Sequence, residues 1–174
     1  MRRLTIDTTC VIAAAQGEAS GDEIDRLVDL ARAGQVELWL TSAFAYDQST
    51  ARNGRAAANL MWLANRPLIR AVPGPFRFDL STFNGPDVFA SQEAADADQK
   101  ITAILIEGPS EDAGRKIHDV HHLTAHLMAG HDAFITHDKG MLNKRDVLQS
   151  QTGIRIRRPS EALALAGAPV APGQ

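Results

Sequence analysis

The segment from His118 to Met141, HDVHHLTAHLMAGHDAFITHDKGM, constrains the fold more than any other. Val120, Leu123, Leu127 and Met128 recur at helical spacing, so they share one face of a helix. Gly130 follows as the residue that can enter the left-handed region and end that helix. Ala133, Phe134, Ile135 and Thr136 form a short run suited to a buried strand, and Asp138 comes directly after it. Ligands of open α/β sheets sit beyond the carboxyl ends of the strands, so Asp138 stands where a functional acid belongs. Asp119 lies in the helix nineteen positions earlier. Folding the helix back onto the strand brings the two carboxylates together.

The rest of the chain alternates in the same way. Leu4, Thr5 and Ile6 read as a first strand ending at Asp7, with Thr8 and Thr9 in the turn. Ser20 and Glu23 have the spacing of a capping box, ahead of a helix whose apolar face is Ile24, Leu27, Val28 and Ala31 and which stops at Gly34. Val36 to Leu40 is a second strand. Thr41 or Ser42 then caps a helix carrying Phe44, Ala45, Tyr46 and Asp47. After Gly54, the positions Ala57, Leu60, Met61 and Ala64 continue a helical pattern to Pro67, and Leu68 to Val72 is a short strand.

Residues 73–91 break the pattern with three prolines and four phenylalanines, and read as a long ordered loop or insertion. Phe76, Phe78, Phe83 and Phe89 there need somewhere to pack. A further helix carries Ala97, Ile101, Ile104 and Leu105 and ends at Gly108-Pro109; Ser110 caps the central helix, with Glu111 and Asp112 in its first turn. A short helix around Lys144 to Gln149, a last strand from Ile154 to Ile156 and a small helix opened by Pro159-Ser160 complete a single domain over 1–166, and 167–174 reads as a disordered tail. Alternating strands and helices imply an α/β domain with a mostly parallel sheet.

With 174 residues and 44 % hydrophobic content, the chain is long enough for one real core. No run approaches the roughly 18–20 apolar residues of a membrane span. Asp7 interrupts the apolar N-terminus early, which favours a strand there over a signal peptide. The single Cys10 fits a reducing cytoplasm and reads as a small buried hydrophobe. The net charge of −3 gives no global signature of nucleic-acid binding, although a local basic rim suffices for such a partner.

The chemistry therefore has to come from acids. In a parallel sheet Asp7, Asp47, Asp119 and Asp138 all fall at one edge. Singly, each has an ordinary role as a cap or a solvated helix position. Together, four converging carboxylates repel one another and need a cation, and an all-oxygen donor set suits Mg²⁺ or Mn²⁺ rather than zinc.

The order of a strand followed by Asp7-Thr8-Thr9, then LTSAFAYD, then D-x-x-x-L-x-A from Asp119, then FIT-x-D ending at Asp138 resembles the PIN-domain ribonucleases, most of all the VapC-type toxins of bacterial toxin–antitoxin pairs. The resemblance runs from about Leu4 to Leu163. It implies a three-layer α/β/α sandwich around a central, mostly parallel sheet, with an acidic site holding one or two Mg²⁺ (or Mn²⁺). It also implies endonucleolytic hydrolysis of RNA to 5′-phosphate and 3′-hydroxyl ends, a homodimer, and a protein antitoxin lying over the acidic groove. Asp7, Asp119 and Asp138 match three of the family's acids; Asp47 stands where the family has glutamate, one methylene shorter. Thr8, Thr9 and Thr136 match small polar positions that orient the acids. The candidates for a substrate rim are Lys139, Arg52, Arg55 and His137.

His118, His122 and His126 share a helix face at steps of four. Zinc is one reading, but no thiolate lies near and one helix rarely completes a tetrahedral site. Contact of His122 and His126 with substrate phosphates or with the metal's surroundings is a second, and plain polar packing is the third. Two other functions compete with the nuclease. One is another Mg-dependent α/β phosphohydrolase, such as a haloacid-dehalogenase-like phosphatase, although Asp7-Thr8-Thr9 lacks that family's second Asp two residues on. The other is a non-catalytic PIN-like binding module in which Asp47 marks a degraded site.

Overall fold

The structure, a computed structural model, describes residues 1–18, 20–50, 55–78, 80–81, 83–106 and 113–167, except for the side chains of Ala113 and Arg115. The expected caps and stops at Gly54, Gly108-Pro109 and Ser110 to Asp112, together with Arg52 and the tail from 168 onward, lie outside the described residues.

Five parallel strands form the sheet: β1 (Arg2–Ile6), β2 (Val36–Thr41), β3 (Arg70–Val72), β4 (Ala133–Ile135) and β5 (Ile156–Arg157), in the order β3-β2-β1-β4-β5. Leu4 is in register with Leu38 on one side and Ala133 on the other. Alternation along the strands sends side chains to both faces, and helices cover both. Leu4, Ile6, Leu38, Leu40 and Ile135 pack with α1 (Thr8–Ala15), α2 (Gly21–Arg32) and α9 (Pro159–Leu165). Phe134 and Ile156 point the other way, into α5 (Gln92–Leu105), α6 (Ala113–Ala129) and α8 (Arg145–Thr152). The architecture is α/β/α around an all-parallel sheet. None of the described helices is long and apolar enough to cross a membrane.

Several local expectations change. Thr8 and Thr9 are not in a turn. They open α1, whose N-cap is Asp7. This helix buries Thr8, Cys10, Val11 and Ala13, so it shows no polar face by which its period could be read. The Ser20 capping box does not form: Ser20 precedes α2 with helical backbone angles and makes no side-chain cap bond. Thr41 and Ser42 precede α3 (Ala43–Thr50), but their hydroxyls bond to His122 and to Asp87 instead.

In α4 (Arg55–Ala64) the expected apolar face points outward. Leu60 and Met61 are exposed, along with Ala57 and Ala64, while Asn59 and Trp62 are buried. Asn59 donates to Gln48 of α3 at 3.0 Å, and that buried bond turns the helix the other way. Gly130 and Gly153 end α6 and α8 with φ of 61° and 80°, as their positions predict.

The 73–91 segment is clasped at its base. Phe76 N donates to Val88 O, and Val88 N to Gly74 O. Gly74 sits so close to α6 that an added Cβ would lie 2.1 Å from His121 Nε2. Gly74→Ala is therefore expected to displace the buried imidazole and cost on the order of 3 kcal/mol, read by urea unfolding. A loss below about 1 kcal/mol would mean that the loop base shifts freely.

Candidate active site

The sheet order reverses at β1, so the crevice between the carboxyl ends of β1 and β4 is the topological switch point. Asp7 and Thr136 lie there. Asp7 N donates to Ile135 O at 2.9 Å, which locks the two strand ends together. Asp7 is 3 % exposed, and three donors hold its carboxylate: Thr8 N on Oδ1, and the Thr9 and Thr136 hydroxyls on Oδ2, all at 2.7 Å. The Thr136 oxygen in turn accepts from Asp138 N at 2.9 Å. One threonine thus ties the acid after β1 to the acid after β4.

Asp138 caps α7 (Lys139–Asn143) through Oδ1, which accepts from Met141 N at 2.8 Å. Its other oxygen is not used in that cap. Asp119, on α6, completes the group. Burial, then the charges of Asp7 and Asp138, push its carboxyl up to about 7, and Asp47 adds to this more weakly. The repulsion expected from the sequence is thus present at Asp119.

Asp47 is placed differently from the other three. Its Oδ1 is 2.8 Å from His118 Nδ1, and its Oδ2 is 2.9 Å from His122 Nε2 and also accepts from the Thr8 hydroxyl. Burial raises the Asp47 carboxyl, but these hydrogen bonds outweigh it and hold the group well below the usual carboxylate range. His122 also bonds Thr41 Oγ1 through Nδ1 at 2.6 Å and lies 3.8 Å from Asp7 Oδ1. Burial pulls its pKa down; Asp47, Asp7 and Asp119 pull it up further, and the net shift is upward. The two ring nitrogens are thus held by Thr41 on one side and Asp47 on the other, with the acids favouring the protonated form. Asp47 therefore reads as the hydrogen-bond partner of two histidines that border the acid group.

His126 and His122 do not stand where a substrate could reach them. His126 is 2 % exposed, bonds Thr5 Oγ1 at 2.8 Å and packs its ring against Phe134; burial holds its pKa down to about 3. It is a core residue, because the strand to which it bonds offers a hydroxyl in an otherwise apolar layer. His122 is 1 % exposed and is spent on Asp47 and Thr41. His118 remains partly exposed at the site's mouth. Lys139 and Arg55 are exposed; His137 is half-buried, and its N–H donates to Thr9 Oγ1 at 3.3 Å.

One cluster escaped the sequence reading. Asp87, from the 73–91 segment, accepts from the Ser42 and Tyr46 hydroxyls at 2.5 Å, from Ser81 Oγ at 2.6 Å and from Gly74 N at 3.0 Å. His121 Nε2 lies 3.2 Å from Ser42 Oγ and 3.5 Å from Asp87; both the His121 and Asp87 side chains are fully buried, and burial holds the imidazole pKa down to about 4. Ser42 and Asp87 crowd the same ring nitrogen while Nδ1 has no partner, so this is not a serine–histidine–acid relay. It anchors the long loop to α3, beside Asp47. The only signal available in the sequence was an acid within a loop rich in proline and phenylalanine.

The sequence matches no protein-family model and no curated protein.

Among the described residues, no three His, Cys, Asp or Glu side chains already stand as a metal-ligating group. The fit of a cation rests on the donor set itself. Asp7, Asp119 and Asp138 supply only oxygens, and the charge they place on one another is what a hard divalent ion relieves. The group can hold such an ion, accept a proton at Asp119, or do both in competition.

Proposed function

We propose that the protein is a metal-dependent ribonuclease, the toxin of a toxin–antitoxin pair, hydrolysing RNA phosphodiester bonds at the switch-point acids. The observation that carries this is the pair of acids at the topological switch point, Asp7 and Asp138, tied together through the Thr136 hydroxyl, with Asp119 near enough for their charges to help raise its carboxyl to about 7. Carboxylates that act on one another at the ligand-binding edge of an α/β sheet carry a cost that a cation relieves. Asp7, Asp119 and Asp138 would hold Mg²⁺ or Mn²⁺. When bound, the cation supplies Lewis-acid activation of water and neutralises charge at the scissile phosphate.

The chain's own groups do the rest. Thr9 and Thr136 both donate to Asp7 Oδ2 and so hold the carboxylate in place, which leaves Oδ1 as the oxygen available to a cation. Thr8 and His118 hold Asp47 at the rim, and the His122 ring stands behind Asp7, 3.8 Å from its Oδ1. Lys139 and Arg55 are exposed and able to meet the phosphates on either side. The homodimer and antitoxin implied by the resemblance are supported by the outward apolar stripe of α4, which a protein partner would cover.

The closure of Asp47 by two histidines favours a second reading, the non-catalytic module. Total RNA incubated with the purified chain and Mn²⁺, beside EDTA and Asp7→Asn, separates the two. Discrete 5′-phosphorylated fragments that vanish in both controls are expected. Cleavage that persists in both controls sinks the assignment of these acids, and no Mn²⁺ binding by calorimetry at millimolar concentration leaves the inert module.

A further inference from the structure

Phe76, Phe78, Phe83 and Phe89 form one ring cluster on the 73–91 segment. Phe76 is central, with centroid separations of 5.4, 5.3 and 5.4 Å to the other three. The outer rings do not find the packing that the sequence demands of them: Phe78, Phe83 and Phe89 are 87 %, 84 % and 84 % exposed. Each phenylalanine left in water forgoes roughly 1.5–3 kcal/mol of burial, so three together on a loop tip mark a contact surface. The loop's base is held by the Asp87 cluster and by the Phe76–Val88 and Val88–Gly74 hydrogen bonds. The rings also contact one another before any partner arrives, which lowers the ordering cost of binding. A groove of about 420 Å³ runs between Phe76 and Phe78 and the start of α5, where Ala95, Asp98 and Gln99 line it.

Charge decides what fits. Residues 73–100 contain five acids and two bases, of which Asp87 is buried in the loop anchor and Lys100 is exposed, beyond Gln99 in sequence. Arg77 is paired with Asp98 at 2.6 Å, while Glu93 and Asp96 stand exposed on the first two turns of α5. Single-stranded nucleic acid stacks on aromatic platforms, but those platforms run along a cationic track. An anionic membrane surface requires basic flanks. A second copy would set acids against acids.

We propose that this face docks a cationic amphipathic segment of another protein. Its large apolar residues would enter the groove and cover the outer phenylalanines, and its lysines or arginines would meet Glu93 and Asp96. The surface is separate from the acid site, and the proposal does not depend on the nuclease reading.

A random peptide library of roughly four helical turns, displayed on phage, selected on the full chain and counter-selected on Phe78→Ser/Phe83→Ser/Phe89→Ser, tests it. The three rings are exposed, so the variant should keep the melting temperature of the parent. Enriched peptides are expected to combine apolar residues at helical spacing with a net positive charge. A synthetic representative should bind at least about tenfold more weakly to the triple variant, and its lysine-to-glutamate twin should bind the parent chain at least about tenfold more weakly. Glu93→Gln/Asp96→Asn, which leaves every ring in place, should weaken the basic peptide by about threefold or more.

No enrichment over the triple variant, or enrichment of acidic or uncharged sequences, overturns the proposal. So does an unstructured RNA oligomer or an anionic vesicle whose binding is lost in the triple variant. A dimer in sedimentation that the triple variant dissolves assigns the face to a second copy and equally overturns it.

Discussion

Asp87→Ala is expected to cost about 3–5 kcal/mol of folding stability. The Asp87 side chain is fully buried, and four donors point at it: the hydroxyls of Ser42, Tyr46 and Ser81, and Gly74 N. Removing the carboxylate strands all four donors and the His121 ring beside it. Burial alone would raise the Asp87 carboxyl, but the hydroxyl donors and His121 outweigh it and leave the pKa lowered. A lowered carboxyl contributes stability that is fully present above its ordinary value of 3.8 and is lost as pH falls through the folded value. The variant should therefore differ most from the parent at neutral pH and converge with it in acid. Urea unfolding gives the magnitude, and limited proteolysis between Pro73 and Ser91 gives the location. A loss under about 1 kcal/mol, or unchanged protection of the loop, would show that this cluster does not anchor it.

Asp119→Asn is expected to stabilise the metal-free protein while removing divalent-dependent RNA cleavage by roughly a thousandfold. The Asp119 carboxyl titrates near 7 when folded, against 3.8 ordinarily, because of burial first and then Asp7 and Asp138. The folded chain thus binds more protons than the unfolded chain between those values, and the parent loses stability as pH rises through that window. Asparagine carries no such charge. The two proteins should match below about pH 4, diverge up to about pH 7, and stay apart above it. After allowance for solvent screening at a partly exposed group, the gap is on the order of 2 kcal/mol, or several degrees in Tm for a chain of this size. Millimolar Mn²⁺ should raise the Tm of the parent and leave that of the variant nearly unchanged. Equal Tm at pH 8 without metal would mean that Asp119 does not share space with Asp7 and Asp138.

Much of this arrangement is legible in the order of residues. Helix α6, Gly130, β4 and Asp138 follow from periodicity and from the one residue type that tolerates positive φ. Asp7 at the end of β1 and Asp138 just beyond β4 are strand-end acids, and a parallel sheet sends all such ends to the same edge. Periodicity failed where burial is not one-sided. Helix α1 is buried nearly all round, and the polar Asn59 of α4 faces inward to meet Gln48, sending Leu60 and Met61 out. Neither the Asp47–His118 and Asp47–His122 pairs nor the Asp87 cluster has a local signature, because their members lie dozens of residues apart.

The amino-acid sequence by itself determined the strands, most of the helices, the parallel sheet and the three strand- and helix-borne acids Asp7, Asp119 and Asp138. All of these depend on short-range spacing and on which side chains water rejects. Only the tertiary structure decided that Asp47 answers to two histidines, that His126 belongs to the core, that Asp87 clasps the long loop, and that three phenylalanines stay in water. Each of these depends on which hydrogen-bonding or apolar partner the packing brings within about 3–4 Å, and the spacing of residues along a chain does not contain that distance.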